Sequence, residues 1–135
     1  MRGVSLIESV VTLGVVMLLI TGLVVGMTSS LKNAQSSKTR SLAVQSAQQA
    51  LEVIREERDR DWTTFAAHDV TGVGTDYCMD NSRQLTAVSE SCSRIVTFTK
   101  NLLDPGQMDV VVKVSWTEGN TSKDVTLKTK YTQWK

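Results

Sequence analysis

The chain has 135 residues, with 15 Lys and Arg against 14 Asp and Glu. That near-balance excludes any global electrostatic argument for nucleic acid or anionic lipid as the partner. The length accommodates one domain plus an appendage.

The first element is apolar. From Ser9 to Leu31 there are 23 residues without a charge. A hydrocarbon core of about 30 Å needs about 20 helical residues. Residues 4–30 are therefore expected to form a membrane-spanning half of a helix. Gly14, Gly22 and Gly26 lower its helix propensity, but small residues let helices approach one another closely in lipid. Glu8 lies inside this segment. Acidic and basic residues at mid-membrane cost roughly 2.5–3.5 kcal/mol on insertion scales, so its presence calls for a reason.

The helical pattern continues through residues 31–61. No Gly or Pro occurs between Lys32 and Arg60. Ala43, Val44, Ala47, Ala50, Leu51 and Ile54 recur at spacings of three and four, which marks a narrow, Ala-rich stripe on one face. The run "EVIREERDRD" mixes its signs, with Glu56 and Arg60 one turn apart, and reads as a solvated face. One helix of roughly 55 residues, ending near Asp61 and Trp62, spans about 80 Å at 1.5 Å per residue.

Residues 62–135 form the head. The stretch 63–93 is rich in Thr, Ser, Asp and Gly and reads as a long connection with at most short strands. Cys78 and Cys92 belong to no CxxC pair. An even cysteine count beyond a membrane segment suggests a disulfide and an oxidising compartment, two unpaired thiols being the alternative. Beyond the connection the period changes. "RIVTFTK" (94–100) is rich in β formers, and Pro105-Gly106 marks a turn. "MDVVVKVSW" (108–116) alternates, with Val110, Val112, Val114 and Trp116 on one face. "KDVTLKTKY" (123–131) alternates too, with Val125, Leu127 and Tyr131 inward, across a hairpin connection at Gly119-Asn120. Three antiparallel strands with one apolar face need a cover, and the Ala-rich stripe is the obvious one. The expected fold class is α+β: one long N-terminal helix, membrane half plus amphipathic half, on a small antiparallel sheet.

Signals for chemistry are few. His68 has no second His and no triad partners, no Gly-rich phosphate loop is present, and no metal or other cofactor is implied. The sequence supports no catalytic activity. Asn120-Thr121-Ser122 is a glycosylation-type sequon on a turn. Lys113, Lys128 and Lys130 form a small basic face, a weak signal for DNA binding, since charged residues on the solvent side of a sheet are ordinary.

The N-terminal run Gly3-Val4-Ser5-Leu6-Ile7-Glu8 resembles the processing site of type IV prepilins, the class III signal peptides. In that family a short basic leader ends in Gly. A hydrophobic residue follows, usually Phe, and then a Thr/Ser-Leu-Ile-Glu run. Here Arg2 supplies the basic residue, residues 1–3 match the leader, Val4 stands where Phe is usual, and Glu8 is the fifth mature residue. The Pro that many pilins carry near the end of the membrane half is missing. The resemblance implies cleavage between Gly3 and Val4 by prepilin peptidase and methylation of the new Val4 amine. It also implies a salt bridge from Glu8 to the amine of a neighbouring subunit, which sets axial register during assembly. The implied partners are membrane lipid before assembly, an assembly platform in the membrane, and other pilins in a homo- or hetero-oligomeric filament. The implied location is the bacterial cytoplasmic membrane, then the cell surface. Counting Arg2 against Lys32, Lys38 and Arg40 would by itself place the head in the cytoplasm; the disulfide and the processing motif both place it outside.

The reading is a type IV pilus subunit, with the ending "VSWTEG…DVTLKTKYTQW" similar to that of some minor-pilin-like proteins. The alternatives are a type II secretion or competence pseudopilin, and a single-span surface-anchored binding protein that never polymerises.

Overall fold

A computed structural model describes residues 6–133. The chain divides into two compact units, residues 1–38 and 39–135. Helix α1 runs from Leu6 to Arg60 without interruption, 55 residues in all. The residues before Lys32 belong to the apolar segment, and those after Thr39 belong to the head.

In the head, α1 presents Ala43, Ala47, Ala50 and Ile54 inward, and all four are buried. This is the expected stripe, with Val44 and Leu51 half-buried at its margins. Three alanines in one line let the helix backbone sit close to the sheet. The helix stops at Asp61, whose backbone turns extended at φ −157°. The Asp61 carboxylate accepts from the Thr63 N–H at 2.9 Å and from the Thr64 hydroxyl at 2.6 Å. A second helix, α2 (Trp62–Ala66), starts on that cap. Such caps contribute about 1 kcal/mol. The segment after residue 62 thus opens as helix, where a loop was expected. The turn has a packing reason: it buries Phe65 against Phe98 and Tyr131, edge to face at 5.8 and 5.7 Å between centroids.

The sheet has five strands rather than three: β1 (Thr75–Met79), β2 (Leu85–Thr86), β3 (Arg94–Lys100), β4 (Gln107–Glu118) and β5 (Thr121–Thr132). Their spatial order is β2-β1-β3-β4-β5, all antiparallel. Three strands match the expected runs 94–100, 108–116 and 123–131, the last two extended at both ends. The two extra strands come from the polar connection. β1 carries only Tyr77 and Met79 toward the core and pairs with the open edge of β3, so its pattern is too short for alternation to register. Gly119, at φ +62°, makes the hairpin turn between Glu118 and Thr121.

The core lies between the α1 stripe and the inner sheet face, formed by Val96, Phe98, Met108, Val110, Val112 and Val114. Trp116 and Leu127 pack at its edge, half-buried. Tyr131 closes it, its hydroxyl donating to the Leu51 carbonyl at 2.8 Å. The Cys78–Cys92 disulfide is formed, with Cα atoms 5.9 Å apart. It ties β1 to the segment entering β3. Closing a loop of this size is worth about 3 kcal/mol on the chain-entropy account.

Candidate functional site

The apolar segment of α1 is long and apolar enough to cross a membrane, and none of its most apolar stretch is buried within the chain. Leu6, Val10, Leu13, Met17 and Leu23 are each more than 60% exposed. An uncovered apolar surface of this extent is a surface meant for something apolar. Its polar side chains suit that setting. The Thr21 hydroxyl donates to the Met17 carbonyl at 2.8 Å, and that of Thr28 to Val24 and Val25. Each is satisfied inside its own helix and needs no water. Gly22, Gly26 and Ser30 follow one another at four-residue steps and leave a shallow groove bordered by Leu23 and Met27. Nothing approaches within 4 Å of where a Cβ on Gly22 or Gly26 would sit. A second helix backbone could therefore come close there.

Glu8 is exposed in the first turn of described helix. It is the only charged residue from Leu6 to Leu31. Among the described residues nothing pairs with its carboxylate. The other two residues of the candidate processing site, Gly3 and Val4, lie outside the described residues.

Among the described residues of the head, two charged ones are buried, Arg94 and Asp69, and sequence reasoning singled out neither. Arg94 is 8% exposed. It stands on the inward face of β3, in register with Val96 and Phe98. Its guanidinium donates to the carbonyls of Met79 at 3.3 Å, Asp80 at 2.6 Å and Ser46 at 3.3 Å, and to the Ser46 hydroxyl at 3.2 Å. One side chain thereby joins α1, the end of β1 and the start of β3. Burial pushes its pKa below the ordinary arginine range, against the opposing pull of the Asp80 carboxylate. An arginine remains protonated regardless. The available signal was parity: "RIVTF" places Arg94 on the same face as two core residues.

Asp69 is 1% exposed. Its carboxylate accepts from the Thr71 N–H and hydroxyl, the Gly72 N–H and the Lys100 N–H, at 2.8–3.2 Å. It pins the α2–β1 connection to the end of β3. Burial alone would raise its pKa, but these hydrogen bonds outweigh it and hold the group at about 2, against 3.8 for a free aspartate. The folded value lies below the unfolded one, so ionised Asp69 stabilises the fold above about pH 4. That contribution is lost as pH falls from about 4 toward 2 and amounts to about 2 kcal/mol. Thermal unfolding followed between pH 5 and 2 should show this loss in the wild type and its near-absence in Asp69→Asn. Equal acid sensitivity in both would rule out Asp69 as the source.

His68, solitary in the sequence, has a partner in the fold. Its Nε2 lies 2.7 Å from Glu57 Oε1. Its ring stacks on Phe98 at 4.5 Å and meets Tyr77 edge-on. The pair joins the end of α1 to the region of β1. Among the described residues no group of three or more His, Cys, Asp or Glu could hold a metal ion.

Lys113, Lys128 and Lys130 share the outer sheet face, as expected, but that face is not uniformly basic. Lys130 Nζ is 3.6 Å from Asp109 Oδ1, and Asp124 stands on the same side. Asn120 is exposed on its turn. The chain matches no family model, no curated protein and no solved structure.

Proposed function

We propose that this chain is a structural subunit of a type IV pilus or a related filament, held by its apolar helix in the membrane and then assembled through it. The observation that carries the reading is Glu8: one carboxylate, without a partner among the described residues, at the start of a helix otherwise uncharged through Leu31. A lone helix in lipid gains nothing from that charge. A subunit whose chain begins at Val4 after cleavage supplies a positively charged amine four residues before Glu8 in the sequence. In a bundle of such helices, the Glu8 of one copy can neutralise the amine of the next. The pairing is favoured because either charge left alone in a low-dielectric bundle is costly.

Other features support the same reading. The self-satisfied threonines and the Gly22–Gly26–Ser30 groove suit a helix that exchanges lipid for other helices without reorganising. The disulfide-braced head suits an oxidising exterior. A minor pilus subunit and a pseudopilin of type II secretion or competence share this mechanism of membrane holding and assembly.

The test is the mass of the N-terminal peptide of the protein expressed with a prepilin peptidase. Cleavage after Gly3 with one added methyl on Val4 is the expected result. An intact Met1 makes the chain a membrane-anchored binding protein, and cleavage near Ser30 makes it a secreted one. Either outcome overturns the proposal.

A further inference from the structure

β5 is an edge strand along its full length of 12 residues. It pairs with β4 in one unbroken register from Thr121 to Thr132, without a bulge. Among the described residues no strand covers its other side. The direction of its free backbone groups follows from β4. The Ser115 N–H donates to the Ser93 carbonyl, and the Gln107 carbonyl accepts from Asn101, so the odd-numbered residues of β4 face β3. Its even-numbered residues therefore face β5, and their partners are the odd-numbered residues of β5. The N–H and C=O groups of Ser122, Asp124, Thr126, Lys128, Lys130 and Thr132 are left pointing away from the sheet.

An open edge of this length is a template for another strand. Proteins blunt such edges with Pro, bulges, short strands or lysines. β5 has only the lysines, and these do not stand alone. Asp124 lies four residues before Lys128, both exposed on the outer face.

We infer that β5 pairs antiparallel with β5 of a second copy of this chain, about a two-fold axis at Thr126. In that register Lys128 faces the second copy's Asp124, and the same contact recurs on the other side of the axis. Val125 faces the second copy's Leu127 on the inner side, where both are half-buried. The even-numbered pairs from Ser122 to Lys130 are then of the hydrogen-bonded type, because the residues whose N–H and C=O groups point outward meet one another, and the odd-numbered pairs alternate with them. Registers centred on Asp124 or Lys128 set like charges against each other and are disfavoured. The axis reverses one head relative to the other.

The experiment uses the full chain in detergent micelles, with a single cysteine added on the edge and oxidative cross-linking followed on non-reducing gels. Thr126→Cys places the two sulfurs beside each other across the axis, whereas Ser122→Cys faces Lys130 of the second copy. Covalent dimer should form at least tenfold faster for T126C than for S122C. Adding Lys128→Asp to T126C should slow it about tenfold, and adding Asp124→Lys as well should restore it, since the charges are then exchanged. All the altered side chains are exposed, so the fold is retained, which circular dichroism verifies. Equal rates for T126C and S122C, or failure of the exchanged pair to recover, would overturn the inference.

Discussion

A Glu8→Ala chain is expected to fold its head normally, remain in the membrane and fail to enter filaments. The change lies in the apolar segment, in a different compact unit from the head core. Melting of the head and formation of the Cys78–Cys92 bridge should match wild type. On the proposed function, the cost is expected on assembly, when the Val4 amine of a neighbouring subunit loses its carboxylate in a low-dielectric bundle. Leaving one member of a buried pair uncompensated costs about 3–5 kcal/mol. Each 1.4 kcal/mol is tenfold in an equilibrium, so incorporation should fall by roughly two orders of magnitude or more. Immunoblots of sheared filaments measure it directly. Glu8→Asp, which keeps the charge on a shorter arm, should recover part of the loss, while Glu8→Gln should recover little. Incorporation of the alanine variant at wild-type levels would remove Glu8 from assembly.

The second large effect belongs to the head. Arg94→Met keeps the length and apolar stem of the side chain and removes the guanidinium. The carbonyls of Met79, Asp80 and Ser46 then lose the guanidinium as a donor in a largely buried site, although the Asp80 carbonyl keeps the Arg83 N–H at 3.2 Å. Each unsatisfied buried acceptor costs about 1–3 kcal/mol, and water entering from the half-buried side recovers part of it. A loss of about 3 kcal/mol is expected, read as a lower midpoint in urea unfolding. A Ser46→Ala change in the same background should cost less than it does in wild type, because both remove one contact. Full additivity of the two would show that Arg94 does not bridge α1 to the strands.

The contrast between these residues shows where local pattern is informative. Glu8 was legible because its surroundings are uniform: one carboxylate in an apolar run needs no tertiary knowledge to be conspicuous. The helix to Arg60 was legible for a similar reason, since an Ala-rich stripe at spacings of three and four can serve only one face. The alternation in "MDVVVKVSW" likewise announces β4 and its buried valines. Arg94 follows the same parity, but a charge at the start of a strand ordinarily turns to solvent, so parity alone does not mark it as buried. Only the carbonyls brought together from α1 and β1 make its burial affordable.

The sequence by itself determined the periodic elements: α1, β3, β4, β5 and the hairpin turn at Gly119. Periodicity is a property of consecutive residues and does not wait for the chain to fold. Tertiary structure decided everything that depends on a partner far along the chain. β1 and β2 exist as strands because β3 offers an open edge, and α2 exists because Phe65 has Phe98 and Tyr131 to pack against. Asp69 holds its charge because the Lys100 N–H, 31 residues away, arrives beside it. The Cys78–Cys92 pairing, expected from count and setting, received its geometry from β1 lying alongside β3.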